Sequence, residues 1–207
     1  MFTGIVEETG DVIAFDGAGG KWRLVVRAAR CGEDVEIGDS VAVDGCCLTV
    51  VARRGRRGAR ELGFDVLEET RRLTNLRFAV PGGLVNLERA LAAGDRFGGH
   101  FVTGHIDGMG LIRRFEQSGK DHYLEIKTPR EILRHIVYKG SICVDGVSLT
   151  IAKAGKSGFG VWIIPHTLEV TSLGSKKIGD AVNLEADLLS KYVDRLLCVK
   201  HRSKVKE

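Results

Sequence analysis

The residues with most chemistry to offer are a thiol, a hydroxyl and an imidazole set among threonines and glycines. Cys47 stands two residues before Thr49, and Ser148 two residues before Thr150. On a strand that spacing puts each pair on one face. His105 follows Gly104. A hydroxyl or thiol near a threonine, beside a Gly-His, supplies a nucleophile, hydrogen-bond donors and a proton carrier that titrates near neutral pH. The plain alternative is that Cys47 and Ser148 are small inward core residues and His105 a satisfied surface histidine; the residues by themselves leave both open. Other chemistries fit worse. Gly17, Gly19 and Gly20 precede Lys21 with the wrong spacing for a phosphate loop, and Trp22 stands where Ser or Thr is needed. His100 and His105 are five apart, on opposite faces of a strand, which argues against a metal site. There is neither a nucleophile elbow nor a dinucleotide fingerprint. Cys31, Cys46, Cys47, Cys143 and Cys198 are odd in number with no Cys-x-x-Cys, so reduced thiols in a cytoplasmic protein are expected.

The elements that position these residues occur twice. Thr3-Gly4-Ile5-Val6 through Gly10 and Phe15 recurs as Thr103-Gly104-His105-Ile106 through Gly110 and Phe115, displaced by 100. Val43 to Val50 recurs as Val144 to Ile151, displaced by 101, so Cys47 corresponds to Ser148 and Thr49 to Thr150. Glu69 to Leu76 pairs with His166 to Leu173, and Val85-Asn86-Leu87-Glu88 with Val182-Asn183-Leu184-Glu185, both displaced by 97. Four blocks in one order mean duplicated domains, whereas a solenoid needs shorter and more numerous units. Two copies of one ligand site would stay alike; an asymmetric reaction between two copies needs them to diverge, as Ile5 and His105, or Cys47 and Ser148, do.

Each half reads as all-β. Apolar and polar residues alternate from Val41 to Val51, and glycine punctuates the segments at Gly4, Gly10, Gly38, Gly45, Gly63 and Gly82. Many short strands in under 100 residues favour a small closed barrel, because closure removes exposed edges. A helical turn or two is expected over Glu68–Asn75 and over Glu131–Tyr138. From Asp187 to about Lys200, Leu188, Leu189, Tyr192, Val193, Leu196 and Leu197 make one apolar stripe of an amphipathic helix. It packs either on its own domain or on the same helix of another chain.

The 207 residues are 43% hydrophobic and 28% charged, enough to bury a core in one domain or two. No apolar run approaches a membrane span, and Met-Phe-Thr-Gly-Ile-Val-Glu-Glu lacks the basic and apolar regions of a signal peptide; neither export nor a membrane partner is expected. Net charge is +4, with Arg53, Arg54, Arg56, Arg57 and Arg60 in one stretch and Lys200, Arg202, Lys204 and Lys206 in the tail. No aromatics interleave with these arginines, so a solvated hairpin tip and tail are expected rather than a nucleic-acid patch.

Several of these blocks together carry a resemblance. Met1-Phe2-Thr3-Gly4-Ile5-Val6, Gly45-Cys46-Cys47-Leu48-Thr49, Gly98-Gly99-His100 with Gly104-His105, Lys139-Gly140-Ser141, Asp145-Gly146-Val147-Ser148-Leu149-Thr150 and Val182-Asn183-Leu184-Glu185 resemble the riboflavin synthases of the trimeric, two-barrel type, in order from residue 1 to about 190. The resemblance implies an all-β fold of two similar six-stranded Greek-key β-barrels from an internal duplication, plus a C-terminal α-helix that holds a homotrimer. It divides the chain into lumazine-binding barrels at 1–97 and 98–186, with an oligomerisation helix and basic tail at 187–207. The activity implied is the conversion of two molecules of 6,7-dimethyl-8-ribityllumazine into riboflavin and 5-amino-6-(ribitylamino)uracil. A four-carbon unit moves from one ring to the other, with no redox cofactor and no metal. Some relatives also associate with lumazine synthase.

By the same resemblance the first-half pocket uses Gly4, Ile5 and Val6, then Cys47, Leu48 and Thr49, then the segment Asp65, Val66, Leu67, Glu68, Glu69 and Thr70. The second-half pocket uses Gly104, His105 and Ile106, Lys139, then Ser148, Leu149 and Thr150. Its last segment is Ile164, Pro165, His166, Thr167, Leu168 and Glu169. His166 is a departure, standing where a Glu is common. His105, Ser148 and Thr150 would relay protons while Cys47 or an activated water adds to the partner lumazine. The active site would lie between the first barrel of one subunit and the second barrel of its neighbour.

Overall fold

The computed structural model describes residues 1–203, the side chains of 18 and 199–203 excepted. The tail lysines Lys204 and Lys206 lie outside the described residues, as do the side chains of Lys200 and Arg202.

Turn chemistry sets the strands. Asp44 and Gly45 both take positive φ (45° and 76°), as do Asp145 and Gly146 (46° and 82°). That is the two-residue type I′ turn that Asp-Gly favours between antiparallel strands. It joins β3 (Ser40–Val43) to β4 (Cys46–Arg56), and β9 (Ser141–Val144) to β10 (Val147–Ala154). With β1 (Glu8–Ala18), β2 (Lys21–Ala28), β5 (Ala59–Leu67) and β6 (Leu84–Arg89), the first set closes a barrel in the order β1-β2-β5-β4-β3-β6. The second set adds β7 (Gly108–Ser118), β8 (Asp121–Lys127), β11 (Gly158–Ile163) and β12 (Ala181–Ala186) and closes as β7-β8-β11-β10-β9-β12. All pairings are antiparallel, and β5 returning beside β2 makes each barrel a Greek key. Both barrels shift register at matching places, Val12/Ala14 with Ile112/Arg114 and Val50/Ala52 with Ile151/Lys153. Such bulges add the coiling that closure needs.

Each barrel fills its own interior. Leu24, Val26, Leu62, Phe64 and Leu87 are fully buried in the first; Ile126, Ile151, Val161, Val182 and Leu184 in the second. Short helices connect the strands: α1 (Cys31–Asp34) and α3 (Arg130–Leu133) after the second strand of each barrel, α2 (Glu68–Leu73) and α4 (Pro165–Val170) after the fifth. The expected turn at Glu131–Tyr138 is thus shorter and begins one residue earlier, where Pro129 can precede it without losing a helical N–H bond.

α5 (Leu188–Ser203) follows β12. Its polar side ties it to its own barrel through Lys191 to Asp107 (2.7 Å) and Asp194 to Arg134. Its apolar stripe faces away: Leu189, Tyr192, Val193, Leu196 and Leu197 are all exposed. No described helix is long and apolar enough to cross a membrane. The arginine-rich stretch is the β4–β5 hairpin, where Arg53 bonds the Gly32 and Glu33 carbonyls and Glu36, and Arg57 pairs with Glu33.

The barrels meet about a pseudo-twofold axis. The two I′ turns touch there, and a Cβ added to Gly45 would lie 2.7 Å from the Gly146 nitrogen. Asn86 donates to the Asp145 carbonyl (2.8 Å) and Asn183 to the Asp44 carbonyl (2.9 Å). Asn75 donates to both buried carboxylates, Asp44 at 3.1 Å and Asp145 at 2.9 Å. The network departs from symmetry at two places: Asn75 has Ser172 as its counterpart in the second repeat, and Lys176, which reaches Asp145 at 3.0 Å, has Ala79, 97 residues earlier. Burial first, and the Asp145 charge second, push the Asp44 carboxyl up.

Candidate functional site

The segments flanking the axis cross over. Phe2 and Val102 form an antiparallel bridge, Phe2 N–H to the Val102 carbonyl at 2.8 Å and the reverse at 3.2 Å. Beyond it, the Gly4 carbonyl accepts from Ser148 N–H and the Gly104 carbonyl from Cys47 N–H, both at 2.8 Å. Val6 packs on the core of the second barrel and Ile106 on that of the first. The pairing expected from sequence order is therefore corrected. Gly4, Ile5 and Val6 lie with Ser148, while Gly104, His105 and Ile106 lie with Cys47.

Two buried carboxylates hold the crossing loops. Glu88 accepts from Thr3 N–H (2.7 Å), Thr3 Oγ1 (3.1 Å) and Gly4 N–H (3.1 Å). Glu185 accepts from Thr103 N–H (2.7 Å), Thr103 Oγ1 (2.8 Å) and Gly104 N–H (2.9 Å). Burial raises the Glu88 carboxyl against the lowering effect of these bonds. Glycine is required where the loops touch the strands. Gly4 (φ +78°) would set a Cβ 2.7 Å from Ser148 Cβ, and Gly104 (φ +81°) one 2.5 Å from Cys47 Cβ.

On the second barrel, Leu149 points into the core, while Ser148 is half-buried and Thr150 exposed on the outer face. Ser148 Oγ lies 2.7 Å from His100 Nδ1. Gly99 makes room for this pair, since a Cβ there would sit 2.0 Å from the Thr3 carbonyl and 3.0 Å from Ser148 Cβ. Burial holds the His100 imidazole below its ordinary range, and Asp187 opposes that shift. His100 Nε2 is buried with no partner among the described residues. Lys139 takes φ +65° where the first barrel has Gly38 at +102°; each donates its N–H to the strand, Lys139 to Ile151 (2.9 Å) and Gly38 to Val50 (2.8 Å). A left-handed lysine in a position suited to glycine is strain that a positioned ammonium would explain. Ile164, Pro165 and His166 are exposed along the rim, and Leu168 turns inward against the core.

On the first barrel, Cys47 is half-buried and Thr49 exposed, with Leu48 and Val66 pointing inward. Those inward residues, and Leu149, offer a ligand only their main chain. Leu67 is 72% exposed. Glu68 accepts from Trp22 Nε1 (2.5 Å), and Arg71 lies 4.0 Å over the Trp22 ring. His105 is exposed and, within its own chain, belongs to this side. Cys46, by contrast, is buried and its thiol is pushed up to about 12, first by burial and then by Cys47 and Asp44; it is an inert core residue.

Each barrel thus presents an outward hydroxyl or thiol, a threonine two residues on, and the backbone of a loop borrowed from the other barrel. The Ser148–His100 pair can pass a proton at hydrogen-bond distance. His100 is the residue that comparing repeats misses: 100 residues earlier there is no position to compare it with.

The lumazine binding domain family matches residues 3–90 and 103–187. The chain is 43% identical over 200 residues to the riboflavin synthase of Actinobacillus pleuropneumoniae, covering 97% of this chain and 91% of that one. It is 42% identical over 207 residues to that of Bacillus subtilis, covering 100% and 94%. To that of Mycobacterium tuberculosis it is 45% identical over 200 residues, covering 95% and 98%. Among solved structures it superposes on LumP complexed with riboflavin with a TM-score of 0.83 at 27% identity, over 90% of this chain and 99% of that one. On LumP complexed with 6,7-dimethyl-8-(1'-D-ribityl) lumazine the TM-score is 0.79 at 26% identity, with the same coverage.

Proposed function

The chain belongs to the riboflavin synthase family of transferases, and from that premise we propose that it converts two molecules of 6,7-dimethyl-8-ribityllumazine into riboflavin and 5-amino-6-(ribitylamino)uracil. The observation that carries this is full-length identity above 40% to riboflavin synthases. The Ser148 and Cys47 faces would each hold one lumazine. His100 and Ser148 move the proton from the acidic 7-methyl group of one ring, and Cys47, or a water beside Thr49, adds to the other. Orienting the two rings supplies much of the acceleration, since preorganisation alone can be worth about 7–11 kcal/mol. On this reading the barrels divide at 97/98, and the oligomerisation segment from 187 onward is α5, which begins at Leu188.

The two faces point outward on different barrels of one chain, and exposed Leu67 and Ile164 rim them. A second subunit is needed to bring two rings together and cover those side chains. We place the site between neighbours of a homotrimer held by the exposed stripe of α5, working in the cytoplasm, where its free cysteines stay reduced. Association with lumazine synthase is a further partner this reading carries.

The test is to incubate the protein with the lumazine alone. Flavin formed at half the moles of lumazine consumed supports the reading. Binding without turnover would make the chain a lumazine or flavin carrier, the alternative that the likeness to LumP favours. Truncation after Asp187 should weaken the oligomer and lower activity with it. A fully active monomer would remove the shared site.

A further inference from the structure

We propose that Trp22 is a positioning residue: it latches α2 to the first barrel and so fixes the rim of the Cys47 pocket from Leu67 to Thr70. The inference rests on the reading above for what that rim holds.

α2 has little of its own to keep it in place. No residue between Val66 and Thr74 is buried, and the N-cap residue is Leu67, which offers the free N–H groups no side-chain acceptor. A helix of one or two turns does not persist alone in water. Its far end is anchored by Thr74 Oγ1, which donates to the Thr70 carbonyl (2.7 Å), and by buried Asn75 and Leu76. Its near end is held by Trp22. Glu68 accepts from Trp22 Nε1 at 2.5 Å, Arg71 lies 4.0 Å over the indole, and Glu68 and Arg71 pair with each other at 3.2 Å. A charge-assisted hydrogen bond, a cation over a ring and an ion pair thus close a triangle in which each member holds the other two. The barrel fixes the ring from behind. Phe15 lies 5.5 Å from it between centroids, and Gly17 makes room for it, since a Cβ there would stand 2.7 Å from Trp22 Cδ2.

The placement of α2 bears directly on the pocket. The pairing of β4 with β5 ends at Val50 and Phe64. Beyond that point Thr49, Asp65 and Leu67 are exposed and alternate with buried Leu48 and Val66, so the outward face runs on into Glu68. Any shift of α2 therefore moves Leu67 and Thr70 relative to Cys47 and Thr49. The second barrel meets the same need with other residues. His122 stands 100 residues after Trp22, and Pro165 and Leu168 stand 97 after Glu68 and Arg71. Proline presets the first turn of α4, and Leu168 packs on the core. His122 lies 5.7 Å from Phe115, its Nδ1 without a partner among the described residues. All three latch positions differ together, as parts of one device would.

The latch can be watched and its effect measured in the full-length protein. Trp162→Phe leaves Trp22 as the sole tryptophan. In that background Glu68→Ala should open the indole to acrylamide quenching about twofold, as a locally released segment does. Glu68→Gln, whose amide oxygen still accepts the indole N–H, should keep it closed. In kinetics with the lumazine, Trp22→Phe and Arg71→Ala should each raise KM about fivefold and leave kcat within about twofold, because a displaced rim weakens substrate and transition state alike. Neither residue faces the pocket, so the effect runs through α2. A merely structural role would instead lower kcat, by reducing the active fraction, at an unchanged KM. That result overturns the inference, as does a wild-type KM in both variants or quenching that ignores Glu68→Ala. The two readings fail separately. Flavin formed by Trp22→Phe at the wild-type KM keeps the activity and loses the latch. Protein without turnover, in which Trp22→Phe weakens riboflavin binding and quenching follows Glu68, does the reverse.

Discussion

At the scale of residues, the site turns on a serine bonded to a buried imidazole, a pair whose members act as one unit. Ser148→Ala and His100→Gln should each slow turnover by about tenfold or more, the usual worth of a positioned proton-transfer group, and the double variant should be no slower than the worse single. Riboflavin should still bind, because the Gly4 carbonyl and the strand backbone remain. The pH dependence has a definite sign. Burial lowers the His100 pKa below 6.5, so the neutral, proton-accepting ring persists at pH values where an ordinary histidine is charged. Activity should fall only as pH drops through that lowered value, and the acid limb should vanish in His100→Gln. A full additive loss in the double variant would separate the two roles. Ser148 and Cys47 were legible in sequence because the repeats diverge there beside invariant threonines. His100 was legible only as part of a Gly-Gly-His motif. Its function depends on Gly99 lacking a side chain and on the Thr3–Gly4 loop lying against it, which are tertiary facts. His105, which the same motif brought forward, sits on the Cys47 side.

At the scale of elements, the Asp-Gly turns, the twelve strands implied by duplication and the amphipathic α5 follow from local chemistry and period, and sequence reading reaches them. The exchange of loops between barrels does not follow in that way. Periodicity tells which face a residue takes; it does not tell which barrel the three residues after Phe2 or Val102 will lie on. That is decided by the Phe2–Val102 bridge and by Glu88 and Glu185. The exchange can be tested with two glycines of nearly equal backbone strain. Gly82 (φ +84°) has nothing within 4 Å of an added Cβ, whereas at Gly104 (φ +81°) that Cβ would lie 2.5 Å from Cys47 Cβ. Gly82→Ala should cost about 1–2 kcal/mol for the left-handed backbone and leave turnover intact. Gly104→Ala carries the same backbone cost and must also displace Cys47, so turnover should fall at least about tenfold with one class of riboflavin site lost. Thermal melts beside the rate measurements separate the two effects. Equal rates in both variants would mean that the loop does not set the Cys47 pocket.

At the scale of the whole molecule, the chain is a dimer of barrels joined covalently, and each barrel borrows a loop from the other. Residues 1–97 expressed alone would keep their strands and core but lose Gly104 and Ile106 from beside Cys47. A second copy can repair this, with the Gly4 loop of each lying on Cys47 of the other about a true twofold axis. The fragment should therefore dimerise, and only the dimer should bind riboflavin. The repair is incomplete where the two barrels differ at the axis, above all in charge. In the intact chain Asp44 and Asp145 meet across the axis with Lys176 beside them; in the fragment dimer two copies of Asp44 would meet with Ala79 in place of the lysine. Burial and the facing carboxylate already raise Asp44 in the intact chain, and Lys176 opposes that rise. Without the lysine the folded pKa climbs further above the ordinary carboxylate value of about 3.9. A group whose folded pKa is raised binds more protons folded than unfolded, so its favourable contribution is full below the unfolded pKa and is lost as pH rises through the folded one. The fragment dimer should thus loosen as pH rises from about 5 to about 8, while Ala79→Lys should flatten that dependence by restoring the missing charge. Sedimentation of the fragment and of its Ala79→Lys variant across that range decides the matter. A fragment that stays monomeric at every concentration and still binds riboflavin would show that the borrowed loop is dispensable.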